Sequence, residues 1–457
     1  MRRSVVSGLS AALVLGSSAT LGAVSAAAAP ATVPTAAPTV NPAAPAATTG
    51  VADGTYVPLS PARLADTRGG SFARKLNAGE VFDVKVTGRG GVPSSGVMAV
   101  VLNLTVTGPT GAGNVVAYPK GAAVPNASSL NFVADDTRSN LVTVPVSSDG
   151  WVSIRNAVGQ THVVADVQGY YVGSTAVKPA GAVDYFPQDP WRVVDTRPDG
   201  RVPAGNAIVG SANFGPDTAD ITALAVNVTV VKPQTKGYAL AWAWNAAAPS
   251  TSNVNFAAGQ TTPNMVIVPV GHETDTDGTP YANFVVGNAS QGEVDILVDV
   301  VGVYAAGDGL RFRSAGTPRR IVDTRTSVGT TTLGPATTRT VAAPTTVANV
   351  NTVALVTNTT AVRPTAATFL TLWQTGVARS SASNLNPAAG QTVANMAIVN
   401  LSDPPSKFNI FNNAGTTDVL VDVAGRFDIS PAVLGAPKTF SGKAARQHAS
   451  ALAALRR

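Results

Sequence analysis

Cysteine is absent from all 457 residues. Without a thiol there is no disulfide, no thiolate zinc site, no thiol nucleophile and no haem attachment. Histidine is nearly absent as well. His162, His272 and His448 occur at unrelated places, and no Ser-His-Asp set, H-E-x-x-H or G-x-S-x-G is present. Asp135-Asp136 and the acidic run 273–277 lack the ligand count and spacing of a calcium loop. The sequence therefore predicts no enzyme, no cofactor and no metal. Long apolar runs are missing beyond the N-terminus, which predicts no membrane span once that segment is removed.

The N-terminus carries Arg2 and Arg3, then an apolar stretch over 5–24 interrupted by Ser and Thr, then small residues over 23–29. This is the order of a secretory signal peptide, here residues 1–29. The Arg pair lacks the wider context of a twin-arginine signal, so the general secretory route is expected. Residues 30–54 are mostly Pro, Ala and Thr, a composition that forms an extended, disordered linker. The expected location is outside the cell, with attachment to the wall as an option.

The formal net charge of +6 sits at the two ends. Removing the signal and the basic tail over 430–457 leaves the body near −1. A nucleic-acid partner needs a basic footprint on the domain itself and is not expected.

A phrase recurs three times: Arg63-Leu-Ala-Asp66-Thr67-Arg68, then Arg192-Val-Val-Asp195-Thr196-Arg197, then Arg320-Ile-Val-Asp323-Thr324-Arg325. A second begins at Asn103, Asn227 and Asn358, each followed two residues later by Thr. Another Asn follows 28 residues on (Asn131, Asn255, Asn386), and a third 9 residues further (Asn140, Asn264, Asn395). Each unit closes on Asp-Val-x-Gly, at Asp166, Asp299 and Asp422. The chain thus holds three tandem domains, at 55–173, 184–305 and 310–429. A period near 125 residues is too long for a solenoid, so the units are expected as domains on a string, lying in a line or packed about a pseudo-threefold axis.

Within the first unit, short segments rich in Val, Thr and Ile alternate in polarity between Gly, Pro, Asn and Asp. They predict strands near 63–67, 81–87, 98–107, 114–118, 129–133, 141–146, 151–155 and 162–172. About eight short strands per unit predict an all-β class of antiparallel β-sandwich or jelly-roll-like domains, with small β-barrels as the alternative. Spacing at 449–455 suits a short helix in the tail, whose default is a frayed terminus.

The motif set R-[LIV]-x-D-T-R, N-x-T, S-x-x-N and D-V-x-G resembles a repeat domain of secreted actinobacterial proteins, over nearly all of the chain after the signal. That family occurs singly or in tandem, often as an accessory module beside hydrolases. The resemblance implies an extracellular, non-catalytic role and leaves the ligand open. Relatives often carry a Cys pair within the unit, and this chain has none.

Three constellations are candidates for chemistry. In Arg63, Asp66, Arg68 and their copies, the Asp fastens a turn to an Arg, or an Arg meets an anionic group. The Asn triplets build an internal polar network, or present amides to sugar hydroxyls. Fifteen residues after each first Asn lies an aromatic, Tyr118, Trp242 or Trp373, with Trp244 two residues beyond Trp242. These are core residues, or platforms for a sugar ring.

Two functions follow. One is a multivalent binding module for carbohydrate or cell-wall polymer. The other is a structural coat or spacer protein. Exposure of Tyr118, Trp242 and Trp373 favours the first, and burial the second. A hydrolase lacks a convergent carboxylate pair in the sequence. Oligomeric state is not set by the sequence.

Overall fold

Alternation along one strand sets the architecture. In the strand Val97–Thr107, Val100, Leu102, Leu104 and Val106 point into one core. Ala99 and Val101, from the opposite face, enter another. Asn103 and Thr105 share that second face, because successive side chains alternate. A sheet buried on both sides reads as a near-continuous apolar run.

The computed structural model describes residues 52–70, 72–173, 177–404, 406–430, 439–442 and 444–450. The expected signal segment and residues 30–51 of the expected linker lie outside the described residues. The first repeat has strands β1 (Tyr56–Asp66), β2 (Val81–Lys85), β3 (Val97–Thr107), β4 (Gly113–Pro119), β5 (Leu130–Phe132), β6 (Thr137–Pro145), β7 (Trp151–Asn156) and β8 (His162–Val172). They form two antiparallel sheets in the orders β1-β8-β3-β6 and β2-β7-β4-β5. The chain alternates between sheets in the jelly-roll manner. Both sheets are open, so the barrel alternative does not hold.

The second repeat contains β9 (Asp184–Asp195), β10 (Ala207–Asn213), β11 (Ile221–Val231), β12 (Gly237–Ala243), β13 (Val254–Phe256), β14 (Thr262–Pro269), β15 (Gly271–Thr274), β16 (Pro280–Asn288) and β17 (Asp295–Ala305). Its sheets, β14-β11-β17-β9 and β13-β12-β16-β10, repeat the same order, with β15 added beside β16. The third contains β18 (Leu310–Asp323), β19 (Thr337–Ala342), β20 (Thr352–Val362), β21 (Leu370–Gln374), β22 (Val393–Asn400), β23 (Lys407–Asn412) and β24 (Asp418–Ile429). Here the sheets are β18-β24-β20-β22 and β19-β23-β21.

Each repeat fills its own sandwich with a separate apolar cluster. A further cluster draws on all three inner sheets, through Tyr56, Tyr171, Tyr185, Tyr304, Phe312 and Phe427. Each of these six rings is at most 1% exposed. The repeats therefore share a core about a pseudo-threefold axis and are not independent beads.

The tail departs from its expected form. β25 (Ala444–Ser450) is a strand that pairs antiparallel with β10, and Phe440 enters the core of the second repeat. An unpaired sheet edge outweighs weak local helix spacing there. Residues 451–457 lie outside the described residues.

Candidate functional site: the seams between repeats

The recurring Arg, Asp and Asn lie in one row. Arg63 on β1 pairs in register with Asp166 on β8, which pairs with Asn103 on β3. The same rows are Arg192–Asp299–Asn227 and Arg320–Asp422–Asn358. Arg63 grips Asp166 through two bonds of 2.8 and 3.2 Å. Arg192 holds Asp299 at 2.8 and 3.0 Å, and Arg320 holds Asp422 at 2.8 and 2.9 Å. The second Arg of each motif binds the motif's own Asp: Arg68 to Asp66, Arg197 to Asp195, Arg325 to Asp323.

The two kinds of carboxyl titrate in opposite directions. Hydrogen bonds from the Arg68 guanidinium hold Asp66 down at about 2. Arg197 and Arg325 likewise lower Asp195 and Asp323. Burial pushes Asp166, Asp299 and Asp422 up, against the pull of the guanidinium beside each. With every repeated carboxylate held by an Arg, the motif fastens strand ends. The partnership of the first Arg with the Asp-Val-x-Gly carboxylate is not in the sequence reading. Its signal is that both charges recur once per unit.

The Asn residues close a ring through the molecule. Asn264 donates to Asn103 Oδ1 at 3.0 Å, Asn395 to Asn227 Oδ1 at 3.0 Å, and Asn140 to Asn358 Oδ1 at 2.8 Å. The oxygens of the same donors accept the backbone N–H of Leu141, Met265 and Met396 at 3.0, 3.1 and 3.0 Å. Asn103 and Asn227 donate onward to the carbonyls of Ser252 and Ser383 at 2.6 and 2.8 Å, and Asn358 donates to that of Ser128. Every bond in these three sets crosses from one repeat to another, each repeat holding the next in a closed cycle. The remaining Asn of each triplet takes a hydroxyl proton from the Ser three residues earlier: Ser128 to Asn131, Ser252 to Asn255, Ser383 to Asn386, each at 3.0 Å.

Two small features of Asp-Val-x-Gly also have causes. Its third residue is a bulge, since Val101 pairs with Gly169 while Leu102 pairs with Val167, skipping Gln168. Its Gly lies beneath an axial ring: a Cβ on Gly169 would fall 2.1 Å from Tyr56 Oη, and one on Gly302 2.2 Å from the Tyr185 ring.

The aromatic position is corrected by burial. Tyr118 is 4% exposed, Trp242 4% and Trp373 9%. In both Trp cases the following loop folds back over the ring: Trp242 Nε1 donates to Ala246 O and Trp373 Nε1 to Val377 O, each at 3.1 Å. Trp244 is half-buried beside Trp242. Tyr118, Trp242 and Trp373 therefore present no free ring face. His162 bonds Thr67 of the first Arg-x-x-Asp-Thr-Arg motif, and His272 bonds Thr218 outside the repeated motifs.

No family model matches this chain, and no curated protein matches it. Among solved structures it is similar to one described as the triple jelly roll fold and turret assembly in an archaeal virus. The identity is 9%, the match covers 82% of this chain and 91% of that one, and the TM-score is 0.16. A second, from the Sulfolobus Turreted Icosahedral Virus, is 8% identical over 83% of this chain and 98% of that one, again at a TM-score of 0.16.

Proposed function

We propose that this protein is an exported, non-catalytic structural body of the cell surface, a spacer or coat unit held rigid by its own three repeats. The observation that carries this reading is the closed ring of Asn bonds between repeats. Burial of Tyr118, Trp242 and Trp373 supports it further, because the aromatic row serves packing. The recurring carboxylates lie in Arg forks and leave no acid–base pair facing a cleft. The signal-like N-terminus fits export, and the Pro/Ala/Thr linker fits an extended segment ahead of the folded body.

The test uses intact cells and the purified exported protein. Antibody labelling places the protein on the outer surface. Incubation with wall material, insoluble polysaccharides and a protein substrate releases neither reducing ends nor free amines. Turnover of any polymer, or label confined to the cell interior, overturns the proposal.

A further inference from the structure

Where the first repeat meets the second, a cleft of about 200 Å³ opens between the inner sheet of one and the β12–β13 pair of the other, with the loop leading into β13. Its lining includes Arg63, Arg68 and Thr105 from the first repeat and Tyr238 and Asn255 from the second. We propose that this cleft binds a neutral sugar residue of an extracellular polysaccharide.

Four observations converge on that chemistry. First, Tyr238 is 40% exposed, unlike the buried aromatics of the sequence motif. It opposes Asn255 across the β12–β13 pair, so ring and amide stand side by side on one face. An exposed ring beside an amide suits the apolar face and hydroxyl edge of a pyranose. Second, Asn255 Oδ1 is fixed by Ser252, which turns its Nδ2 away from that bond. No protein acceptor meets this Nδ2 among the described residues. Third, Thr105 is 6% exposed, and its hydroxyl has no hydrogen-bond partner in the protein. A buried hydroxyl without a partner is costly unless a ligand or water supplies one. Fourth, the two guanidiniums that line the cleft are already engaged, Arg63 by Asp166 and Arg68 by Asp66, which favours polyhydroxyl groups over an anion.

The size argues for one ring. Pockets for drug-sized ligands run to about 300–1,000 Å³, and this one is smaller. The pseudo-symmetry argues for one site per chain. At the position of Tyr238 the first repeat has Asn114, without a ring. The third has Phe369, which packs against Phe411 with ring centroids 5.9 Å apart.

Binding is measured by titration calorimetry on the full exported chain, with chitotriose, xylohexaose, maltohexaose and inorganic phosphate as probes. At least one oligosaccharide is expected to saturate one site per chain, while phosphate does not bind. Tyr238→Ala abolishes binding, and Tyr238→Phe retains it. Thr105→Val weakens binding about tenfold without lowering the thermal midpoint, since that hydroxyl bonds nothing in the protein. The assignment is overturned if none of the three sugars saturates, if phosphate binds instead, or if Tyr238→Ala and Thr105→Val bind as the parent does. Those outcomes leave the structural reading standing, because it rests on the Asn ring and not on this cleft.

Discussion

Replacing Asn264 by Leu tests the ring of repeats most directly. Leu matches Asn in size and can make none of its bonds. The substitution removes the donor to Asn103 Oδ1 and the acceptor of the Leu141 N–H, both at 3.0 Å. The third partner, Asn253 O, keeps a bond from Ser139 Oγ at 2.7 Å. Two groups are thus orphaned beside residues that are fully buried, Asn103 and Leu141. At about 1–3 kcal/mol for each orphan, the loss is about 2–6 kcal/mol, a large part of the 5–15 kcal/mol that holds a typical domain together. Urea unfolding followed by fluorescence of the five Trp residues reads it. Asn140→Leu and Asn395→Leu orphan the matching groups and also take the donor from Ser129 O and Asn384 O, so they should lose at least as much. Adding Asn103→Leu to Asn264→Leu removes one orphan, so the double variant loses less than the sum of the singles. A loss below about 1 kcal/mol for Asn264→Leu, or strict additivity in the double variant, refutes the ring as a source of cohesion.

Other predictions follow from the same geometry. Gly302→Ala drives a methyl into Tyr185, 2.2 Å away, and loses about 1–3 kcal/mol in chemical denaturation. Gly111→Ala, with open space around it, stays within about 0.5 kcal/mol. The Asp66 carboxyl titrates near 2 when folded and near 3.9 when unfolded, so its stabilising contribution is complete above pH about 4 and is lost as pH falls toward 2. Asp66→Asn should therefore flatten the acid limb of a stability–pH curve between pH 4 and 2, and an unchanged limb contradicts the pairing with Arg68. Phe440→Ala empties a place in the core of the second repeat and should lower stability by about 3–5 kcal/mol, measured by thermal or urea unfolding.

The strands were legible because their signal is local. Segments rich in Val, Thr and Ile bounded by Gly, Pro and Asn mark the strands of the first repeat, and the ends of β8 fall at the expected residues, although β1 starts at Tyr56, well before the expected 63. The closure of the repeats was not legible. An Asn at the same place in every unit reads alike whether its amide bonds its own unit or the next, and 28-then-9 spacing carries no direction. The axial rings show the same limit, since nothing local marks Tyr56 or Phe427 as facing other repeats. The aromatic row read equally as core or as platform, because nothing local shows that a loop such as the one at Ala246 folds over the Trp242 ring. The cleft at Tyr238 draws its residues from two repeats, a pairing that no window of the sequence contains.

A closed cycle has no first member. The openings of all three repeats gather at one end of the axis: the Phe312 N–H bonds Gly54 O at 2.9 Å, Tyr56 bridges to Val183, and Leu310 pairs with Tyr185. The last strand of the third repeat, β24, finishes there too, with Ile429 opposite Leu310. A circular permutant cut between 305 and 310, with 429 joined to 52 through a short linker, would keep the Asn ring and the contacts of Asp53 and Gly54 with Arg313 and Phe312. Covalent linkage then sets neither the order nor the handedness of assembly. Its role is to fix local concentration, so that what three separate chains would form only above a threshold, a single molecule forms at any dilution.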